Sequence, residues 1–355
     1  MPEDILFPAS VVGSMPRPDF VKDLVLGEHG LTAEEHARAL DAAVCYVVAL
    51  QEFAGLDVVT DGEWRRRSYI GVIAELAHGF ALGKFPDGRP YTVVTEPLAP
   101  RDAGFIAREA RFLRTCTRRR IKATLPAPAL LGERLWDATR SRKAYPQRED
   151  FVRACVPILR RELELLVREG VDIVQIDDPH LCLFVDPEVR ARYENADRAA
   201  DFAVEAINAV VDGVRGVKLA VHLCRRAGGR ARGEAQHGGG YDPIVAQLNR
   251  LKVHHLTMEF TDPGAGDMAV FRKLREDFEI GLGCVSVTPG QVDSAETIAA
   301  RVRKARGHLD PARITLNPDC GFAPGSGAAV SLDEAYHKLR NEAAAARLLR
   351  AEAGA

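Results

Sequence analysis

The 355-residue sequence predicts an α/β chain of the (β/α)8 barrel, or TIM-barrel, class. Three observations carry that expectation. Short runs that are apolar on both faces alternate with amphipathic helices, the pattern of a parallel sheet buried on both sides. Eight such runs follow one another in a chain whose length suits one barrel. The chemically distinctive residues, Ser14, Glu63, Asp177, His222, Cys224, Glu259 and Cys320, all fall at predicted strand ends, where this architecture places its active sites. A single domain over residues 1–355 is expected, with an insertion at about residues 64–120 between strands two and three.

The first run, residues 9–14, delivers Ser14 at its carboxyl end and is followed by the turn Met15-Pro16-Arg17-Pro18. Thr32 and Glu35 make a capping box ahead of the periodic apolar residues Leu40, Val44, Val47 and Val48, so a helix starts there and stops at Gly55. Strand two, residues 56–63, ends in Glu63. The rhythm then breaks through a Gly- and Pro-rich section, residues 83–90, and a β-like run at 91–95, which reads as a hairpin followed by a helix leading into strand three. Strand three covers residues 121–126, a long helix 149–169, and strand four 171–179, with Gly170 between the last two. A helix over 198–214 precedes strand five at 217–224. Strand six covers 254–259, strand seven 279–286 and strand eight 313–320, among helices at 243–251, 268–275, 292–306 and 332–352. The glycines from Gly228 to Gly240 follow strand five directly and suit either a lid or a loop that merely needs turns.

Composition narrows the function classes. Hydrophobic residues at 46% and charged residues at 28% describe an ordinary soluble protein. A net charge of −2 supplies no field for nucleic acid or an anionic membrane. Most arginines interleave with acids along helices, as in residues 160–164, and read as solvated faces. Arg65, Arg66 and Arg67 differ because they follow a strand end. Seven irregularly spaced cysteines argue against a disulfide framework and for a reducing compartment. Of these, Cys45, Cys116 and Cys155 lie in amphipathic patterns that suit small buried thiols. The start Met1-Pro2-Glu3-Asp4 lacks signal-peptide character, and no apolar stretch approaches the roughly 18 residues of a membrane helix. A cytoplasmic location is expected. No Gly-x-Gly-x-x-Gly stands in the context a dinucleotide cofactor requires.

His222 and Cys224 sit one residue apart on a predicted strand, so their side chains point the same way. An isolated His-x-Cys is usually a core cysteine beside a hydrogen-bonded histidine. Two further strand ends, however, also carry ligand types: His254-His255 with Glu259, and Asp319-Cys320. One nitrogen and two sulfurs, with Glu259 as a displaceable oxygen, suit tetrahedral Zn2+, and the thiolates select zinc over magnesium or calcium. Structural zinc sites normally use closely spaced ligand pairs, so ligands on separate strand ends point to a catalytic site.

These motifs resemble a family. Val12-Gly13-Ser14, Asp61-Gly62-Glu63, Gln175-Ile176-Asp177-Asp178-Pro179, His222-Leu223-Cys224 and Asn317-Pro318-Asp319-Cys320-Gly321-Phe322 are similar to the cobalamin-independent methionine synthases, in a short form that looks like their catalytic barrel alone. The resemblance implies that His222, Cys224, Glu259 and Cys320 are zinc ligands, while Ser14, Glu63 and Asp177 hold an amino-acid thiol. It also has departures. The synthases' proton-donating histidine at the end of strand seven is replaced by Cys284-Val285-Ser286-Val287, and their folate-stacking tryptophan near strand three by Leu125-Pro126-Ala127-Pro128. Both departures look closer to methionine-synthase-II-like proteins and epoxyalkane:coenzyme M transferases.

The expected activity is zinc-dependent methyl transfer to homocysteine, giving methionine, from 5-methyltetrahydrofolate or a related donor. Glu63 and Asp177, the catalytic pair, would receive the α-ammonium and Ser14 the carboxylate; a salt bridge in the barrel mouth is the alternative for each carboxylate. One rival keeps the zinc thiolate but uses another thiol, an epoxide or a non-folate methyl donor. An anionic thiol would then call on Arg17, Arg65, Arg66 or Arg67. The other rival is a zinc-stabilised barrel without turnover. Partners are small molecules, with no nucleic acid or membrane, and the oligomeric state stays open.

Overall fold

Parallel pairing runs through the sheet in chain order. The computed structural model describes residues 5–27, 29–84, 90–101, 104–230, 233–234, 237–323 and 328–354. In it, Val58–Val59 pairs with Arg120–Pro126, and the ladder continues through Ile173–Asp177, Lys218–Leu223, His255–Glu259 and Glu279–Val285 to Ile314–Pro318. Residues 9 and 10 join the two edges: Ala9 bridges Leu316 and Ser10 bridges Val58, both in parallel. Counting that segment as strand one, the barrel has eight strands, and the Val58–Val59 pair is strand two. Through those two bridges the parallel sheet closes on itself, so both of its edge strands are met by a neighbour.

Helices cover the outside, packing their apolar stripes on the sheet and on one another. The helix Ala33–Ala54 begins at the expected capping box, with the Thr32 side chain accepting from Glu35 N, and ends at Gly55 in the left-handed conformation. The last helix, Leu332–Ala353, is tied across strand one: Arg350 donates to Leu6 O at 2.7 Å, and Glu342 Oε1 accepts from Ser10 N at 3.0 Å. The insertion is an antiparallel hairpin, Ala77–Lys84 with Pro90–Pro100, followed by the helix Phe105–Cys116. Residues 85–89 of the Gly- and Pro-rich section lie outside the described residues, as do Met1-Pro2-Glu3-Asp4 and residues 231–232 and 235–236 of the glycine-rich stretch.

Several expectations need correction. Strand two is only Val58–Val59, so Glu63 stands in the turn beyond it. The helices expected at 243–251 and 268–275 are shorter and partly of the tighter 3-10 kind: Asp242–Ile244 is a 3-10 turn leading into the four-residue α-helix Val245–Leu248, and Met268–Lys273 is 3-10. Proline-started helices Pro128–Leu135, Pro179–Leu183 and Pro187–Arg190, together with Asp19–Leu26, occupy stretches to which the sequence assigns no element, save that Pro179 falls at the expected end of strand four. Cys155 is buried as expected, but Cys45 is exposed and Cys116 partly so. Val44, Val47 and Val48 take the buried face of their helix, which leaves Cys45 one step off it. No helix among the described residues is long and apolar enough to cross a membrane.

Candidate active site

Strand five presents His222 and Cys224 on one side, and the chain leaving strand eight brings Cys320 alongside. One ligand atom from each lies within 4.8 Å of the others, and all three residues are buried. The two sulfurs are 3.5 Å apart. His222 Nδ1 is buried with no hydrogen-bond partner among the described residues, a costly state for a ring nitrogen. An orphaned imidazole nitrogen beside two converging thiols fits a soft divalent ion. In the protein alone, contact with Cys320 and then burial push the Cys224 thiol well above its usual range. Burial opposes charge on His222, yet its contact with Cys320 and the nearby charge of Asp177 leave its pKa raised. A bound cation reverses the logic for the thiols, because a coordinating sulfur is deprotonated.

Glu259 ends strand six, fully buried, but is not a member of that three-residue cluster. Its Oε2 accepts from Arg225 N at 2.8 Å, and its Oε1 lies 3.2 Å from the Arg225 guanidinium. Tyr241 Oη accepts from Glu259 N at 2.9 Å and reaches the carbonyls of Leu223 and Glu259 at 3.4 and 3.3 Å. Arg225 and Tyr241 thereby lock the ends of strands five and six together. Neither was singled out from the sequence; the only hint was an arginine next to a candidate ligand. His254 and His255 stand apart from the cluster: His254 Nδ1 accepts from Leu219 N, and His255 Nε2 meets Thr315 Oγ1 at 2.8 Å.

The expected substrate residues meet the metal cluster in one place. A single cavity is lined by Ser14, Glu63, Tyr69, Asp177, His222, Cys224 and Cys320. Glu63 reaches it through a left-handed backbone, φ 58°, a strained conformation for a glutamate. The turn is held by Asp61 Oδ1 accepting from Glu63 N at 2.9 Å and by Arg17 donating to Glu63 O at 2.6 Å. Thr124 Oγ1 donates to Glu63 Oε1 at 2.9 Å. A Cβ at position 13 would stand 2.7 Å from Glu63 Oε1 and 3.0 Å from the Thr124 methyl, so a larger residue there would displace the carboxylate. Ser14 Oγ accepts from Ala323 N at 3.2 Å and packs so closely on Gly321 that a Cβ there would overlap it.

Asp177 is the last residue of strand four, with Oδ1 accepting from Gln175 Nε2 at 2.7 Å. The same amide nitrogen donates to Val12 O at 3.1 Å. Gln175 Oε1 is met by Thr257 Oγ1 at 3.4 Å, Thr257 lies 3.4 Å from His255 Nδ1, and His255 bonds Thr315. A hydrogen-bonded chain thus runs from the site down the barrel lumen. Burial, above all, pushes the Asp177 carboxyl up to about 7; His222 pulls it down and Glu63 pushes it up. Burial likewise raises Glu63, against the pull of Arg66.

The arginines after strand two point elsewhere. Arg66 is buried against Glu109 at 2.8 Å and donates to Thr124 O and Oγ1, Arg65 pairs with Asp41, Arg67 donates to Val25 O, and Arg17 caps backbone carbonyls. None of them lines the site cavity; Arg65, Arg66 and Arg67 border a separate one between the insertion and the first two helices. No residue of strand seven lines the site either. Tyr69 does, and no sequence signal pointed to it, because it falls in the stretch read as insertion. Burial, followed by the neighbouring Cys224 thiol, keeps its phenol protonated.

The family model described as cobalamin-independent synthase, catalytic domain, matches residues 7–348. A methionine synthase from Saccharolobus islandicus is 27% identical, covering 98% of this chain and 96% of its own length. One from Sulfolobus acidocaldarius is 26% identical, covering 90% and 87%. Among solved structures, a B12-independent methionine synthase from Shewanella sp. W3-18-1 in complex with selenomethionine superposes with a TM-score of 0.81 at 24% identity, over 98% of this chain and 99% of that one. A putative B12-independent methionine synthase from Listeria monocytogenes gives 0.74 at 21%, over 97% and 98%.

Proposed function

Because the chain belongs to the cobalamin-independent synthase catalytic-domain family, whose members are methyltransferases, we propose that it methylates homocysteine to methionine, with zinc held at His222, Cys224 and Cys320 and with Glu259 as a fourth, exchangeable ligand. The donor is 5-methyltetrahydrofolate or a related methyl carrier, and the catalytic unit is one domain over residues 1–355, its insertion at about 64–120. The observation that carries this reading is the shared cavity: two carboxylates and a serine line the same small space as one imidazole and two thiols.

Zinc bound there would supply the Lewis acidity that keeps a substrate thiol as thiolate near neutral pH. The remaining work belongs to the protein's own groups. Asp177 and Glu63 offer carboxylate oxygens to the α-ammonium, and Gln175 and Thr124 fix which oxygens remain available by occupying the others. Ser14 Oγ already accepts from Ala323 N, so its proton is directed to the substrate carboxylate. Arg225 holds the Glu259 carboxylate when it is not serving as a ligand. Fixing the amino-acid end at three points leaves the sulfur little freedom except toward the cluster, a proximity effect rather than an acid–base one.

The rival reading, alkylation of an anionic thiol lacking an amine, calls for guanidinium groups in the cavity, and the candidate arginines are engaged elsewhere. The test is a panel of thiols and methyl donors offered to the zinc-loaded protein. Methionine formed from homocysteine supports the proposal. Turnover only with amine-free thiols would support the rival, and zinc binding without any alkylation would indicate a non-catalytic barrel.

A further inference from the structure

Two thiols outside the site meet on the outer face of the barrel. Cys45 lies in the helix Ala33–Ala54 and Cys116 is the last residue of the helix Phe105–Cys116, and their sulfurs are 2.9 Å apart. The same helix pair is pinned on both sides of them. One turn before Cys45, Asp41 binds Arg65, whose guanidinium lies 4.8 Å from the centre of the Phe112 ring, one turn before Cys116. Beyond the pair, the Thr117 hydroxyl bonds the Glu52 carboxylate. The sulfurs are therefore held face to face by contacts other than their own, and they need to close by less than about 1 Å to reach the bond length of a disulfide. Cys45 is exposed and Cys116 partly exposed, whereas the other five cysteines, Cys224 and Cys320 among them, are buried. A dissolved oxidant thus meets this pair first.

We propose that Cys45 and Cys116 form a reversible thiol–disulfide site whose oxidant is a low-molecular-weight disulfide. The Cys45 thiolate attacks one sulfur of the small disulfide, whose S–S bond breaks and releases one thiolate that takes a proton from solvent. Cys116 then gives its proton to solvent and attacks Cys45 Sγ, displacing the second small thiolate. Two protein thiols are oxidised and one small disulfide is reduced to two thiols. In the reduced pair, burial and then the neighbouring Cys45 thiol push the Cys116 thiol up to about 12; burial persists in the mixed disulfide, so the second step quickens with pH. The new bond would staple the helix Ala33–Ala54 to the helix that carries Glu109, the buried partner of Arg66. This inference is independent of the activity proposed above.

The test uses the full-length, zinc-loaded protein equilibrated in glutathione buffers of increasing disulfide content, quenched by alkylation and mapped by peptide mass spectrometry. The expected result is loss of two of the seven alkylatable thiols, recovery of a linked Cys45–Cys116 peptide, unchanged zinc content and full reversal by thiol. Cys116→Ser should stop at a single glutathione adduct on Cys45. Wild-type protein that accumulates a stable adduct on Cys45, keeps both residues alkylatable in the most oxidising buffer, or links Cys224 to Cys320 instead would overturn the proposal.

Discussion

Replacing Asp177 by Asn separates a substrate carboxylate from a structural one. The side chain is buried, and its Oδ1 is already committed to Gln175 Nε2 at 2.7 Å. Gln175 cannot turn its amide over, because the same nitrogen donates to Val12 O and its oxygen receives Thr257. The substituted asparagine must therefore point its own oxygen at Gln175 and its NH2 into the cavity, where an ammonium would meet a donor in place of an acceptor. Loss of one side of a buried charge-assisted contact costs roughly 2–5 kcal/mol, and the donor-to-donor clash places this case in the upper half. Homocysteine affinity should fall by about 300- to 4000-fold, at 1.4 kcal/mol per decade.

The pH of the assay matters because burial raises the Asp177 carboxyl to about 7 in the metal-free protein, and a bound dication lowers it from there. Where Asp177 is ionised the full difference is visible; below its pKa in the zinc-loaded protein, binding must first remove its proton, and the gap should narrow by about tenfold per pH unit. Titration calorimetry of zinc-loaded wild type and Asp177→Asn at pH 8 and pH 6 measures this, with 4-mercaptobutyrate as the thiol that lacks the amine. Equal losses for homocysteine and mercaptobutyrate, or a drop in zinc content alongside, would refute the ammonium role.

Three other perturbations follow from the same geometry. Cys320→Ser should lose most of the zinc, read by elemental analysis, while circular dichroism stays that of the wild type, since the residue stands beyond the strand rather than in it; full occupancy would remove Cys320 from the ligand set. Gln175→Leu takes away the hydrogen bond that fixes Asp177, worth about 1.5–3 kcal/mol for a charged acceptor, so KM for homocysteine should rise roughly ten- to hundredfold while KM for an amine-free thiol and zinc content hold steady. Lys122, buried in the lumen, has its pKa lowered from 10.5 to about 8 by burial, with Asp177 and Glu342 opposing. The unfolded chain then binds more protons between those values, so stability rises with pH across that window, and the cost of the buried charge is complete below pH 8. Lys122→Met should stabilise the protein at pH 7 by about 3 kcal/mol, with the gain vanishing near pH 10.5; a pH-independent difference in urea midpoints would show that desolvation of the amine is not its source.

What could be read from the sequence was what local rules govern. His222 and Cys224 are a period-two pair, so any strand there must bring them together, and Asp177 closes a run whose alternation is equally strict. The Thr32–Glu35 capping box is complete within four residues and needs no tertiary contact. Glu63 was placed at the end of a strand read over residues 56–63, but strand two is two residues long, and the side chain reaches the cavity through a left-handed turn that Gly13 makes room for. Tyr69, Arg225 and Tyr241 were illegible for a different reason. Their positions are set by loops that fold against other strands, and a buried arginine bound to Glu259 looks, in sequence, like any other arginine.

The lumen shows why the apolar reading of the strands was incomplete. Small barrels usually fill their interior with layers of branched apolar side chains, and strands apolar on both faces would imply the same. Here Thr124, Gln175, Thr257, His255 and Asn317 face inward and are buried, and the seventh strand makes space for them: a Cβ on Gly281 would come within 2.6 Å of His255 and 2.7 Å of Asn317. A polar interior is less favourable than an apolar one unless its groups are satisfied, so its presence needs a cause. The chain from Thr315 through His255 and Thr257 to Gln175 ends on Asp177. A carboxylate that must stay buried yet keep one oxygen facing a substrate needs a donor of fixed orientation behind it. An amide can be fixed in this way only if its own oxygen is also occupied, which extends the requirement strand by strand around the barrel. On the role proposed for Asp177, the polarity of the lumen follows from the site above it.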